Sequence, residues 1–220
     1  MDRPQMQMPQ SGASRRDFAK AAALLALAVG MPLAGVRLTD ISAQDLPDPR
    51  QRALIAEVAE LVIPRTETRG ARDSGVGDFV ILALAHGLAG TRAPVPAANL
   101  APAFRPFVRA DGSLRHLHWL ESRLDRAAGG DFLAQPTAER FALLAALDAE
   151  AMGDGPAGPP PPWSPWPAIK GLILTGYYTS ETGGSRELRY ELVPGRWDAD
   201  IPLAAGERAY SSDWTAVEFS

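Results

Sequence analysis

The sequence predicts a mainly α fold: a compact bundle of about five helices, then a short C-terminal β-hairpin or strand and a long irregular tail. Three observations carry this. Apolar residues recur at helical spacing in five separate segments, proline and glycine punctuate the intervals, and strict polar/apolar alternation appears once, late in the chain. With 220 residues, 46% of them hydrophobic and 22% charged, the chain can build one packed domain.

Asp48 before Pro49 offers a cap and a proline at the first helical position, and Leu54, Ile55, Val58, Leu61 and Val62 share one face until Pro64 halts the helix. Glu57 and Glu60 fall on its polar face and read as solvated. Residues 65–74 are polar and read as a loop. A second helix starts near Asp78, with Asp73 or Asp78 as its cap. It runs through Phe79, Val80, Ile81, Leu82 and Leu84 to Gly87 or Gly90, and is apolar nearly all round, so it should be buried. Pro94, Pro96, Pro102 and Pro106 make the next stretch a connecting loop. Ser113 is placed to cap a third helix that carries Leu114, Leu117, Leu120 or Trp119, and Leu124, and that stops at Gly129-Gly130. The fourth starts around Pro136 or Thr137, turns Phe141, Leu144 and Leu147 inward, and ends at Gly153. Residues 153–162 form a Gly/Pro-rich linker. A fifth helix, opened by Pro165 or Pro167, is lined by Trp163, Trp166, Ile169, Leu172, Ile173, Tyr177 and Tyr178. Leu188, Tyr190 and Leu192 then alternate with Arg189 and Glu191, the period of a half-exposed strand.

The N-terminus is an address. Ser14, Arg15, Arg16, Phe18 and Lys20 are similar to the twin-arginine export motif, and the alanine-rich run Ala21 to Val29 is too short for a stable membrane span. Residues 1–43 are therefore expected to be a signal peptide, with the mature chain starting around Gln44 and residues 44–220 forming the helical domain. The mature part would carry a net charge of about −6. The twin-arginine route implies transport in the folded state, often with cofactor already inserted.

Several chemistries are excluded or disfavoured. The chain has no cysteine, so disulfides, thiolate iron–sulfur ligation and covalent haem attachment must lie elsewhere. A net charge of −4 without a basic cluster beyond the N-terminus excludes nucleic acid. The spacing of His116 and His118 points their rings apart on a helix, unlike a helical metal pair; with Trp119 they read as a satisfied surface patch. Gly75-Val76-Gly77 is better explained as a helix entrance than as a nucleotide cradle. No nucleophile with a base, metal cluster or cofactor cradle is visible, so catalytic, cofactor-binding and metal residues are all expected to be absent. Partner-contact candidates are Trp163, Trp166, Tyr177, Tyr178, Thr179, Ser180, Glu181 and Tyr190, because aromatic residues concentrate at interface centres.

Three stretches together resemble the gluconate 2-dehydrogenase subunit 3 family. These are LIAEVAELVIPRTETRGARDSGVGDFV from Leu54 to Val80, the block GYYTSE from Gly176 to Glu181, and Tyr190 to Gly195 running into Ile201-Pro202-Leu203. The chain departs from the family's loop by carrying Arg69 where a proline precedes the glycine. The resemblance implies a non-catalytic small subunit of a periplasmic FAD-dependent dehydrogenase complex, membrane-associated through that complex. The substrate would be gluconate, glucose, sorbitol or fructose, or a glycoside oxidised at its 3-hydroxyl. It implies no cofactor in this chain and FAD in a large GMC-type partner, which an iron–sulfur cluster could accompany, with haem c in a cytochrome c subunit. The partners would be that large subunit, the cytochrome and the twin-arginine translocase. Two rivals remain at this level: an independent periplasmic helical ligand-binding protein, and an enzyme using His116 or His118.

Overall fold

The computed structural model describes residues 46–96, 100–153, 164–190, 202 and 204–211, all within the compact unit Asp40–Ser220. The twin-arginine motif, the cleavage position, most of the Gly/Pro linker, Trp163, and most of the tail beyond Tyr190 lie outside the described residues.

Asp48 opens α1 (Pro49–Val62) with a reciprocal cap: its carboxylate accepts from the Gln51 N–H at 2.7 Å, and the Gln51 side chain accepts from the Asp48 N–H at 3.4 Å. Four more α-helices follow among the described residues: α2 (Val76–His86), α3 (His116–Ala128), α4 (Thr137–Met152) and α5 (Trp166–Tyr178). Left-handed glycines at 87, 129 and 153 end α2, α3 and α4. Helix α1 lies at the centre and touches each of the other four. Leu54, Ile55 and Val58 on α1, Val80 on α2, Leu120 and Leu124 on α3, and Ile169 and Ile173 on α5 are completely buried together. Each such side chain stabilises the fold by about 1.5–3 kcal/mol.

Gly176 fixes how α5 meets α2. A Cβ there would stand 2.6 Å from Cδ1 of Phe79, so the close crossing requires a residue without one. The proline-rich connection after α2 is more ordered than a plain loop, because the 3-10 segment Pro102–Phe107 buries Phe104 with its ring 6.3 Å from that of Trp119.

Several expectations are corrected. Helix α2 begins at Val76 behind Gly75; Asp73 pairs with Arg65, and Asp78 sits in the first turn without capping. Ser113 is completely buried and does not cap α3. Its N–H and hydroxyl both donate to Asp111, at 2.9 and 2.6 Å, a local bond that competes with helix entry. The chain instead forms a bridge between Val108 and Leu114 before α3 starts. Phe141 is spaced with Leu144 along α4 but is 58% exposed, because it stands at an open groove that no neighbouring element fills. His116 and Trp119 are buried rather than a surface patch, and His118 alone of the three is exposed. Of the expected C-terminal β-hairpin or strand, the strand is present and the hairpin is not: β1 (Arg189–Tyr190) and β2 (Tyr210–Ser211) pair in parallel. Strands joined by a tight hairpin turn pair antiparallel, and the parallel register here excludes that arrangement.

Candidate partner-docking surface

Three segments meet around the end of α1. Glu60 accepts from the N–H groups of Arg65 and Arg72, both at 3.0 Å, folding the loop after Pro64 back over the helix. The loop lies so close that a Cβ on Gly70 would stand 2.4 Å from Glu60 Oε2, which explains the glycine. Glu57, expected to be solvated, is 7% exposed and receives Arg72 and Arg140. Arg140 Nε lies 3.2 Å from Glu57 Oε1 without a hydrogen-bond alignment, so the contact is an ion pair only. The other Arg140 nitrogens donate to the Leu133 carbonyl at 3.3 Å and to Thr137 Oγ1 at 2.9 Å. Thus α1, the loop and α4 are cross-braced through one buried carboxylate.

The end of α5 joins this junction through Tyr177, which is 1% exposed. Its hydroxyl donates to the Arg69 carbonyl at 3.0 Å and lies 3.3 Å from Glu187 Oε1, the same oxygen that accepts from Thr68 Oγ1. Burial raises the Tyr177 phenol above its ordinary range, keeping it a donor. Thr179 and Ser180 donate to the Thr175 and Tyr177 carbonyls, each at 2.6 Å, and Ser180 Oγ accepts from the Gly183 N–H at 3.1 Å. These hydroxyls close the helix end. Tyr178 is 43% exposed, stacks edge-on against Tyr177 with centroids 5.3 Å apart, and has exposed Thr179 and Glu181 as neighbours.

Beside the junction runs an open apolar groove of about 190 Å³, lined by Leu61 and Val62 of α1, Phe141 and Ala145 of α4, and Trp166 and Lys170 of α5. Trp166 is buried, and its indole N–H donates to Asp148 at 2.6 Å, while Lys170 donates to the same carboxylate at 2.8 and 2.9 Å. Burial pushes the Asp148 carboxyl up, but these two donors outweigh it and hold it below the ordinary carboxylate range. On the outer side of α5, Leu174 is partly exposed one turn before Tyr178, with exposed Pro167 and Gly171 continuing the row.

Residues 49–195 match the sequence profile of the family described as Gluconate 2-dehydrogenase subunit 3. The chain belongs to this family. It is therefore the small, accessory subunit type of a dehydrogenase complex. Comparisons with curated proteins and with solved structures returned no match. The first two stretches that carried the resemblance, with Glu187 just before the third, converge on the Tyr177 junction of this subunit 3 chain.

Of the partner-contact candidates, Trp166 and Tyr177 are almost completely buried, Trp166 in the wall of the groove, and Ser180 is half-buried as a helix stop. Tyr178, Thr179 and Glu181 are at the surface. Trp163 and the Tyr190 side chain lie outside the described residues. Sequence reasoning missed Phe141, Leu174 and the groove; the one legible signal was that α4 and α5 each carry more large apolar residues than a single buried face accommodates. Among the described residues no three metal-ligating side chains gather, and no helix is long and apolar enough to cross a membrane. The arrangement can brace helices and present apolar surface, which is the chemistry of association.

Proposed function

We propose that this chain is the non-catalytic small subunit of a periplasmic FAD-dependent sugar dehydrogenase complex, and that it binds the large flavoprotein subunit and carries it across the membrane on its twin-arginine signal. The observation that carries this reading is the motif Ser14-Arg15-Arg16-Asp17-Phe18-Ala19-Lys20 on a member of a dehydrogenase-subunit family. Oxidation of a CH–OH group of gluconate, glucose, sorbitol, fructose or a glycoside takes place on FAD in the partner, and a cytochrome c subunit passes the electrons on. The groove around Phe141 and the row of Leu174 and Tyr178 are the surfaces that meet the flavoprotein; exposed apolar patches of this kind mark interaction sites.

The test is export of the partner. With Arg15 and Arg16 replaced by lysine, the flavoprotein should remain in the cytoplasm, and the tagged wild-type chain should co-purify with a yellow protein from the periplasm. Undiminished export of the flavoprotein in the Lys-Lys variant would refute the carrier role.

A further inference from the structure

Between the connection that follows α2 and the first turn of α5 lies a pocket of about 230 Å³. Ala93, Pro94, Val95, Leu114, Pro165 and Ala168 form its apolar wall, and no charged side chain lines it. His116, at the start of α3, completes the lining. We infer that this pocket binds a small neutral aromatic ring carrying one hydroxyl, a phenol, whose O–H donates to Nε2 of His116.

The imidazole supplies the polar end. His116 is 6% exposed, and its Nδ1 lies 3.0 Å from the Leu114 carbonyl. A carbonyl only accepts, so the ring proton sits on Nδ1 and Nε2 keeps a bare lone pair. Burial pushes the ring down to about 4, which keeps it neutral, and hence an acceptor, at ordinary pH. Arg109 donates to the same Leu114 carbonyl and lines the narrow cleft on the far side of the ring, next to Gln51. Nδ1 is thus turned toward that cleft, and because the two ring nitrogens point nearly opposite ways, Nε2 is turned toward the pocket. No partner among the described residues engages it. The other polar side chains of the lining are occupied: Thr91 donates its hydroxyl to the Leu88 carbonyl at 3.0 Å, and Ser164 accepts from the Trp166 N–H at 3.4 Å. One buried acceptor is left open in an otherwise apolar wall.

These walls select the ligand. An apolar cavity of about 150 Å³ is enough for benzene, so the space here holds one substituted ring. A sugar or polyol is excluded: once one hydroxyl has found Nε2, the others would be desolvated without partners. A carboxylate is excluded as well, because it brings charge to a lining without a cation and sets its oxygens against another lone pair. A rigid ring also loses less freedom on entry than a flexible chain of equal volume. A free phenolic compound and a tyrosine side chain of another protein share this chemistry.

The test titrates phenol and toluene into the mature chain and reads binding by NMR shifts. Phenol should bind about tenfold more tightly than toluene, the worth of one buried hydrogen bond. His116→Asn keeps an amide N–H for the Leu114 carbonyl but has no atom at Nε2, so it should bind the two equally. Ala168→Phe, at a half-buried position on α5, fills the pocket without opening the core and should bind neither; it decides the matter if His116→Asn does not fold. Failure of phenol to bind the wild type, an unchanged preference for phenol in His116→Asn, or unchanged phenol affinity in Ala168→Phe overturns the inference. So does binding that appears only in Trp163→Ala, since the pocket would then belong to the chain's own indole. Repeating the phenol titration with the co-encoded flavoprotein separates the two sources, and this arm alone rests on the function proposed above. Displacement of phenol assigns the ring to a side chain of that partner, retention leaves the pocket to a free molecule, and either result upholds the recognised chemistry.

Discussion

Replacing Glu57 by glutamine removes the one charge that braces α1, the following loop and α4, while nearly keeping the side chain's volume. The two arginines then part company. Arg72 is half-exposed and can turn to water, so its loss contributes at most about 1 kcal/mol. The Arg140 side chain is only 17% exposed and is held in place by Leu133 and Thr137, so it keeps a buried, uncompensated charge. Breaking a buried pair on one side costs about 3–5 kcal/mol; because a glutamine oxygen still faces Arg140, we take the low end, about 3 kcal/mol. For a chain of this size that lowers the melting temperature by about 6–12 °C. Urea denaturation of the mature domain reads the change as a lower midpoint with an unchanged slope. The double variant Glu57→Leu, Arg140→Met should recover most of the loss, because apolar packing replaces a desolvated pair without its penalty. A Glu57→Gln midpoint within about 0.5 kcal/mol of wild type would show that the carboxylate is as solvated as its helical position suggests, and would refute the reasoning.

Two further outcomes follow from the same packing. Gly176→Ala gains about 1 kcal/mol of helix propensity but drives a methyl into the Phe79 ring, and overpacking there should win, giving net destabilisation of about 1–2 kcal/mol by the same denaturation assay; a more stable variant would mean that α2 and α5 can separate freely. Burial holds the His116 imidazole down at about 4 from an ordinary 6.5, with Arg109 acting in the same direction. The unfolded chain thus binds the extra proton first as pH falls. The associated stability is fully present above pH 6.5 and is lost on going down through pH 4, a fall of about 2.5 kcal/mol between pH 7 and pH 4.5 that should be absent from His116→Gln.

The helices were legible because their ends are chemically marked. Asp48-Pro49, Gly87, Gly129 and Gly153 stop or start the chain by local rules that need no tertiary partner. What escaped depends on contacts distant in sequence. Glu57 and Glu60 occupy the polar side of an amphipathic helix, and only the return of residues 65–72 over them makes one buried and the other a clasp. Ser113 has the composition of a cap, but Asp111 two residues earlier competes for its hydroxyl and its N–H. Phe141 obeys the helical period and still stands in the open, because periodicity shows which face is apolar but not whether a neighbour covers it. The candidate surface was legible to the same degree: the block at residues 176–181 marked the right end of α5, while the assignment of Tyr177 to the core and Tyr178 to the outside required the position of Arg69.

The parallel register of β1 and β2 has a topological consequence. To bring Tyr210 alongside Arg189 in the same direction, the chain must close a circuit of about 20 residues, an entropic cost of roughly 2–3 kcal/mol against a ladder only two residues long. The knot of that purse-string is Arg208, whose guanidinium donates to the carbonyls of Ser185 at 3.1 Å and Leu188 at 2.6 Å just ahead of the ladder. One cationic side chain thus ties the approach to β2 to the turn after α5, so the two-residue ladder does not stand on its own backbone bonds alone.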